Sequence, residues 1–398
     1  MSYLLATHAK TELGTTDETT SSIINVQEPH GMDTSRIPLV SADAHVNEPR
    51  TLWWDGLPES MRDRAPARIK PSESGAWTMK AHSETDLTQR QKDLADEHAR
   101  NEQNDLDYRL KIMRDDGIAA ECVFPTIGLY IWDMDDAALG DACCQIYNDW
   151  IYDALEANSP RHRCAGLIPT WDMEMAIREL RRITEMGLGS IMLPLRGVPW
   201  EYNSPNWEPF WEAAEETGLP IVMHQGSGHD MLFYRGPGAT VANLVATQSM
   251  APRTVALLTT SGTLERHPSL HFVFVETNTA WISWVMDTMD SYYDAFLANP
   301  GWIRPQLQEK PSFYVSRQIH GTFQWDPTGL LNVGRTGVPP LLWGSDYPHS
   351  EGTYPHSRKI VQELFVDFDE TDAAAVLGGT ATELFGFDPA VVATPVQI

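Results

Sequence analysis

Short apolar runs alternate along the chain with longer segments in which apolar residues recur at helical spacing. The runs are nearly continuously apolar, which is typical of parallel strands that are covered on both faces. Eight such runs alternating with eight helical segments predict an α/β fold, specifically a (β/α)8 TIM barrel. The predicted strands are 37–43, 118–124, 164–168, 189–194, 219–224, 271–276, 312–317 and 339–345, and the predicted helices are 103–116, 136–157, 172–186, 206–217, 240–265, 280–297, 326–334 and 356–378.

Glycines mark the ends of several predicted helices. Gly117 follows a helical run that ends at Asp115-Asp116, Gly187 follows one that ends at Met186, and Gly218 stands just before a predicted strand. Glycine adopts the left-handed conformation that closes a helix at little cost. These positions therefore support the predicted order of helix followed by strand.

Two stretches fall outside the alternation. Residues 1–35 are rich in threonine and serine, have no helical or strand period, and are predicted to form a flexible leader. Residues 46–100 form an insertion after the first strand, and we predict that they act as a lid or a dimer arm in a homo-oligomer. The rest of 36–398 is predicted to be one barrel domain.

Polar side chains stand at the ends of four predicted strands. Asp43 and His45 end the first, His224 ends the fifth, Glu276 ends the sixth and Asp346 ends the eighth. Asp43 and His45 are two residues apart on a strand, so both side chains point to one face. In a barrel of parallel strands the active site lies at the carboxyl ends. Carboxylates and imidazoles gathered there predict a site for a divalent cation.

Other interpretations of these residues remain open on sequence alone. His224 would otherwise be a core histidine bonded to backbone, and Glu276 would form a salt bridge, for example to Arg196. Asp346 follows a strongly apolar run, where an unpaired carboxylate would be costly. It therefore requires either a metal ion or an arginine partner. His320, in the stretch QIHGTF, is a further candidate ligand, and a structural role fits it equally well.

The charge of the chain limits its partners. It has 29 lysines and arginines against 55 aspartates and glutamates, a formal net charge of −26. Such a field repels phosphate groups, which excludes nucleic acid and anionic membranes as expected partners. No run approaches the roughly 18 apolar residues of a membrane-spanning helix, and the four cysteines show no CxxC spacing. We therefore predict a cytoplasmic protein that acts on a small-molecule substrate.

Several sequence motifs resemble those of the amidohydrolase-related group, which contains the aminocarboxymuconate-semialdehyde and resorcylate decarboxylases. The resemblance covers about residues 37–388. The motifs are Asp43-Ala44-His45-Val46-Asn47-Glu48-Pro49, the single His224, Trp343-Gly344-Ser345-Asp346-Tyr347-Pro348-His349, and the closing stretch from Leu377 to Asp388.

This resemblance implies a divalent metal, commonly zinc or manganese, bound by Asp43, His45, His224 and Asp346. It also implies that Asp346 serves as proton donor or general base. One position departs from the decarboxylases: where they carry a catalytic histidine at the end of the sixth strand, this chain has Glu276. A glutamate cannot supply an imidazole acid, but it can ligate a second cation.

Two functions follow from these expectations. The first is a metal-dependent hydrolase or carboxy-lyase acting on a cyclic or aromatic carboxylate or acyl compound. In it Asp346 moves the proton, and Glu276 and His320 assist as catalytic residues or ligands. The alternative, to which the resemblance extends, is a dinuclear non-haem iron monooxygenase that hydroxylates a small molecule, such as an acyl thioester, in natural-product biosynthesis. A mixed carboxylate–histidine set suits zinc, manganese or iron, including two irons.

Overall fold

Eight parallel strands, paired in chain order, form the centre of the molecule. The computed structural model describes residues 32–49, 51–65, 105–229, 234–299 and 301–397. After the last strand the chain returns to the first, where the Asp346 amide donates to the Asp43 carbonyl at 2.8 Å. This contact closes the sheet into the (β/α)8 barrel that the sequence predicts. The strands are β1 Leu39–Val46, β2 Ile118–Pro125, β3 His162–Leu167, β4 Ser190–Met192, β5 Ile221–His224, β6 Phe272–Val275, β7 Ile319–Phe323 and β8 Leu341–Trp343.

Helices follow the strands and cover them on the outside. No helix in the described ranges is long and apolar enough to cross a membrane. The α-helices are α1 Leu52–Gly56, α2 Glu59–Arg62, α3 Leu106–Asp116, α4 Ala137–Ala154, α5 Met173–Met186, α6 Glu208–Thr217, α7 Ala239–Gln248, α8 Met250–Thr260, α9 Thr263–Arg266, α10 Ala280–Leu297, α11 Pro311–Gln318, α12 Pro327–Leu331, α13 Val333–Thr336, α14 Ser357–Leu364, α15 Glu370–Ala374, α16 Thr380–Leu384 and α17 Pro389–Val392.

Local chemistry determines where helices begin and end. Asp105 caps α3 by accepting a hydrogen bond from the Tyr108 amide at 2.9 Å. Gly117 ends α3 with φ of 78°, and Gly187 ends α5 with φ of 101°. A Cβ is disfavoured in this left-handed region, so glycine is the residue suited to both stops. The two glycines therefore have the helix-ending role that the sequence predicts.

The seventh strand lies later in the chain than predicted. The prediction of a strand over 312–317 is wrong, because these residues belong to α11. A short apolar run such as Phe313-Tyr314-Val315 fits a strand and a buried helix equally well. Pro311 favours the helix, since a proline in the first helical turn loses no hydrogen bond. As a result His320 is the second residue of β7 and lies toward its amino end.

Two predicted segments lie partly outside the described residues. Residues 1–31 of the predicted leader lie outside the described residues. So do residue 50 and residues 66–100 of the predicted insertion. The described start of the insertion contains α1 and α2. There the buried Trp53 indole donates to the Cys143 carbonyl at 3.1 Å, which fixes α1 to α4. The roles of lid or dimer arm, and the homo-oligomer, stay predictions.

A glycine lets the end of β8 approach β1 closely. A Cβ on Gly344 would lie 2.4 Å from the Asp43 Cβ and 2.9 Å from the Asp43 nitrogen. Such distances are far inside van der Waals contact, so only glycine fits here. The close approach brings the residues that follow β8 beside those of β1, so that Asp346 meets Asp43 and His45.

Candidate metal centre

Five of the six predicted ligands meet at the carboxyl ends of the strands, and all five are buried. Their ligand atoms form two overlapping groups, and within each group the atoms lie within 4.8 Å of one another. These are the groups able to hold a metal ion in the described part of the chain. The first group is Asp43, His45 and His224, and the second is His45, Glu276, Asp346 and His349.

The rings of His45 and His224 face each other through their Nε2 atoms. His45 Nδ1 donates to the Pro125 carbonyl at 2.8 Å, and His224 Nδ1 donates to the Gln225 carbonyl at 2.7 Å. The two Nε2 atoms are therefore both acceptors, and they lie 3.0 Å apart. Burial lowers the pKa of His224 to about 3 and that of His45 well below its ordinary value, so neither ring carries a proton on Nε2. Two opposed lone pairs at this distance favour a cation between them.

Three carboxylates complete the donor set. Asp43 Oδ1 lies 3.6 Å from His45 Nε2, and so does Asp346 Oδ1. Glu276 Oε2 lies 3.4 Å from His224 Nε2. Asp43 Oδ1 and Asp346 Oδ2 are buried and have no hydrogen-bond partner among the residues that the structure describes. Buried oxygens left in this way cost free energy, and a bound cation removes that cost.

The distances fit a divalent cation. Two ligand atoms that are each about 2.1 Å from a metal lie about 3.0 Å apart at octahedral angles and about 3.4 Å apart at tetrahedral angles. The imidazole nitrogens are 3.0 Å apart, and the carboxylate–imidazole pairs span 3.4 to 3.9 Å, at or slightly above that range. The residues present therefore fit a divalent metal. The mixed oxygen and nitrogen set is compatible with zinc, manganese or iron and does not select one of them.

Electrostatics in the site also favour a positive charge. Burial raises the pKa of Asp43, Glu276 and Asp346 well above their ordinary values. The neighbouring charge of Asp346 raises the pKa values of Asp43 and Glu276 further. Three carboxylates in so small a volume repel one another when ionised, and a cation among them stabilises the ionised form.

The backbone is strained at two of the candidate ligands. Among the described residues, the non-glycine residues with positive φ are Glu276 at 58°, Asn278 at 56° and Asp346 at 54°. Each costs on the order of 1–2 kcal/mol relative to an ordinary conformation. Hydrogen bonds hold this geometry, such as that from the Glu276 amide to Thr322 Oγ1 at 2.7 Å. Strain of this kind concentrates at functional sites, and here it turns two ligand side chains into the centre.

Neutral side chains orient the carboxylates. Asp43 Oδ2 accepts from Thr322 Oγ1 at 3.1 Å and from Gln324 Nε2 at 3.0 Å. Glu276 Oε1 accepts from Gln225 Nε2 at 2.5 Å. Sequence reasoning missed these three supporting residues. With β7 correctly placed, its carboxyl end would have pointed to Thr322 and Gln324.

His349 is the candidate ligand missing from the predicted set. Its Nδ1 lies 2.8 Å from Asp346 Oδ1, and its ring centroid lies 4.1 Å from that of His45. The His349 side chain is 19% exposed, whereas Asp346 is fully buried. The sequence signal is the three-residue spacing from Asp346, which a turn closes through the bond from the His349 amide to the Asp346 carbonyl at 2.9 Å.

The structure does not bring His320 to this centre. Its Nδ1 donates to the Pro339 carbonyl at 2.8 Å, and its Nε2 lies 3.0 Å from His271 Nδ1. His271 directly precedes β6, so this pair lies at the amino ends of the strands, opposite the ligand cluster. The prediction of His320 as ligand and catalytic residue therefore has to be corrected, and its cause is the misplaced seventh strand.

Known proteins resemble this chain in sequence. The sequence profile of the family described as amidohydrolase matches residues 42–387. The 2-amino-3-carboxymuconate-6-semialdehyde decarboxylase of Dictyostelium discoideum is 25% identical over 291 residues, 72% of this chain and 77% of that protein. The gamma-resorcylate decarboxylase of a Polaromonas species is 20% identical over 290 residues, 70% of this chain and 86% of that protein.

A solved structure gives the same fold. The 5-carboxyvanillate decarboxylase of Novosphingobium aromaticivorans, determined with bound manganese, superimposes with a TM-score of 0.69 and 16% identity. The match covers 90% of this chain and 100% of that one. At this identity the likeness establishes the barrel alone, while the profile match spans most of the sequence. The chain therefore belongs to the amidohydrolase family of enzymes.

Proposed function

We propose that this protein is a metal-dependent carboxy-lyase that removes the carboxyl group of an aromatic or cyclic carboxylate. The observation that carries the proposal is the buried ligand cluster with Asp346 at its edge, in contact with both His45 and the partly exposed His349. The decarboxylase names of the relatives support this choice over hydrolysis, which the sequence left open.

In this proposal Asp43, His45 and His224, whose ligand atoms lie within 4.8 Å of one another, would hold the cation. Asp346, whose Oδ1 lies 3.6 Å from His45 Nε2, would be the fourth ligand. When bound, the cation supplies positive charge that orients the substrate carboxylate and stabilises negative charge developing on the substrate. The Asp43 carboxylate stays oriented because Thr322 and Gln324 hold its second oxygen. Such outer hydrogen bonds fix ligand orientation.

In this proposal Asp346 moves the proton. Its Oδ1 contacts His349, and its Oδ2 has no hydrogen-bond partner in the described part of the chain. In the proposed reaction the Asp346 carboxyl gives a proton to the carbon that bears the substrate carboxylate, and the bond to the carboxyl carbon breaks. The products are CO2 and the substrate with hydrogen in place of the carboxylate. His349, being partly exposed, returns a proton from solvent to Asp346.

The test is decarboxylation in D2O by the manganese-loaded protein with a set of aromatic carboxylates. We expect equal amounts of CO2 and of product, with deuterium at the carbon that lost the carboxyl group. Asp346→Asn should reduce kcat by at least about 100-fold, since general acid catalysis contributes that much. Asp294→Asn, at an exposed carboxylate of α10, is the matched control and should keep full activity. Full activity of Asp346→Asn would refute the proposed role.

A second candidate function rests on the second ligand group. Glu276, Asp346 and His349 lie together with His45, so the described residues offer donors for a second cation. A second cation is what the alternative, a dinuclear iron monooxygenase, would require, whereas the relatives named above are decarboxylases. Metal content and oxygen uptake after anaerobic iron(II) loading distinguish the two. Two irons per chain, one of them lost in Glu276→Gln, with oxygen uptake on adding an acyl thioester, would replace the carboxy-lyase proposal.

A further inference from the structure

A chain of hydrogen bonds joins helix α7 to the candidate ligand Glu276. Thr247, near the end of α7, donates from Oγ1 to Gln225 Oε1 at 2.7 Å. Gln225 in turn donates from Nε2 to Glu276 Oε1 at 2.5 Å. Gln225 directly follows His224, the last residue of β5, so these bonds run beside two candidate ligands. They therefore link a helix at the surface to the metal centre.

The chemistry of the three side chains fixes the direction of the Gln225 amide. An ionised Glu276 carboxylate can only accept hydrogen bonds, so the Gln225 nitrogen has to face it. The Gln225 oxygen then lies on the other side and needs a donor, which the Thr247 hydroxyl supplies. Gln225 is 5% exposed, so this donor has to come from the protein.

Two carbonyl groups of α7 compete for the Thr247 proton. Thr247 Oγ1 lies 3.0 Å from the carbonyl oxygens of both Asn243 and Leu244, compared with 2.7 Å from Gln225 Oε1. A hydroxyl group has one proton to donate, and the shortest of the three contacts is the one to Gln225. This geometry favours donation to Gln225, which keeps the amide in the direction that Glu276 requires.

The bond from Gln225 to one oxygen of Glu276 determines where the other oxygen lies. With Oε1 bonded to Gln225, Oε2 lies 3.4 Å from His224 Nε2, a separation that fits two ligand atoms of one cation. Gln225 is uncharged, so it orients the carboxylate without placing a second positive charge beside the cation. The Glu276 amide donates to Thr322 Oγ1 at 2.7 Å, so backbone and side chain are both held.

Helix α7 contributes little to the core. None of its residues is buried, and Val241 and Val245 are 69% and 63% exposed. A second, longer contact joins its last residue to the segment after β6, from Asn278 Nδ2 to Gln248 Oε1 at 3.4 Å. A change at Thr247 should therefore affect the metal centre without disturbing the packing of the barrel.

We propose that Gln225 and Thr247 are positioning residues that hold Glu276 as a metal ligand through one oxygen, Oε2. This proposal goes beyond the carboxy-lyase function, because it depends on the metal centre and not on the reaction. Hydrogen bonds to a ligand typically change metal affinity about 10- to 100-fold. We expect Gln225, which contacts Glu276, to have a larger effect than Thr247, which acts through Gln225.

The experiment measures manganese binding by calorimetry to the full chain after removal of metal with EDTA. Gln225→Leu should weaken binding at least about tenfold, and Thr247→Val should weaken it about fivefold. Thr247→Ser keeps the hydroxyl and should bind as the wild type does. The matched control is Thr260→Val, because Thr260 is an exposed threonine of α8 whose Oγ1 donates to the Ala256 carbonyl of its own helix at 2.7 Å. The control should keep the wild-type affinity.

A double-mutant cycle separates positioning of Glu276 from a general structural effect. Glu276→Gln should itself weaken binding, and adding Gln225→Leu to it should cause less than about a twofold further loss. The visible spectrum of the cobalt(II)-loaded protein is a second readout, since it depends on the ligands and their geometry. It should change in Gln225→Leu and Thr247→Val and stay unchanged in Thr260→Val.

Three results would overturn the proposal. They are wild-type affinity in either Gln225→Leu or Thr247→Val, an effect of Gln225→Leu that is as large in the Glu276→Gln background as in the wild type, and binding by Thr247→Ser that is as weak as that of Thr247→Val. If Gln225→Leu does not fold, Thr247→Val decides the matter, because α7 has no buried residue.

Failure of this proposal can be told apart from failure of the proposed function. If the wild type binds no manganese, the metal centre and the positioning role fail together. A wild type that binds manganese, shows the expected effects of the variants and releases no CO2 from any carboxylate would refute the carboxy-lyase function alone.

Discussion

Replacing Asp346 by asparagine is expected to stabilise the metal-free protein and to weaken its response to metal. Asp346 is fully buried, and burial raises its pKa well above the ordinary value. A carboxyl group with a raised folded-state pKa contributes stability at low pH that is lost as the pH rises through that pKa. At pH 8 without metal, the wild type therefore bears the cost of a buried charge that asparagine, of nearly equal volume, does not have.

The magnitude follows from the environment of the carboxylate. Asp346 Oδ2 has no hydrogen-bond partner among the described residues, and leaving a buried polar group in this state costs about 1–3 kcal/mol. Asparagine leaves a neutral polar atom at the same position and removes only the charge, so Asp346→Asn should raise the metal-free free energy of unfolding by about 1 kcal/mol, the lower end of that range. Metal at 100 times its Kd stabilises the wild type by about 2.7 kcal/mol. If the lost ligand weakens binding about 100-fold, the same concentration stabilises the variant by only about 0.4 kcal/mol.

The assay is urea unfolding at pH 8, followed by tryptophan fluorescence, in EDTA and in excess manganese. Asp294→Asn serves as the control, because that carboxylate is exposed and paired with Lys310. The stability gap between variant and wild type should narrow or reverse when metal is added. The reasoning would be refuted if the variant were less stable than the wild type in EDTA. It would also be refuted if manganese stabilised the variant as much as it stabilises the wild type.

Two further predictions concern packing and pH. Gly344→Ala should lower the free energy of unfolding by about 1–3 kcal/mol and weaken metal binding, because the added Cβ would lie 2.4 Å from the Asp43 Cβ. The control is Gly334→Ala, which should not destabilise the protein because nothing lies within 4 Å of the new Cβ. Equal urea midpoints for the Gly344→Ala and Gly334→Ala variants would contradict this account. Burial lowers the pKa of His162 to about 3. The neutral ring therefore contributes its full stability above about pH 6.5. Below that pH the protein loses about 1.4 kcal/mol of stability for each pH unit. His162→Gln should therefore flatten the loss of stability between pH 6 and 4, and an unchanged slope in this variant would contradict the assignment.

The fold could be predicted because its strands are buried on both faces. Continuous apolar runs such as Ile221–His224 then stand out from the amphipathic helices between them. The prediction failed where an apolar run was also compatible with a helix, as in α11. A shift of the seventh strand by a few residues was enough to move His320 from the mouth of the barrel to its opposite end.

The candidate site could be predicted in part. Four of the candidate ligands lie at the ends of apolar strands: Asp43, His45, His224 and Asp346. The end of a strand can be located from the apolar pattern, and in a barrel it is also where the active site lies. His349 was left out of the predicted ligands because it lies on a turn, where the direction of a side chain depends on dihedral angles that no hydrophobic pattern encodes. The positive φ of Glu276 is likewise invisible in sequence, since non-glycine residues seldom adopt it.

The most direct test of the metal centre is elemental analysis of the wild type, His224→Gln and His320→Gln, each purified without added metal and again after loading with manganese or zinc. We expect at least one divalent metal per chain in the wild type and in His320→Gln, and a marked loss in His224→Gln with an unchanged circular dichroism spectrum. Equal metal content in His224→Gln and the wild type, or no metal in the wild type even after loading, would contradict the account.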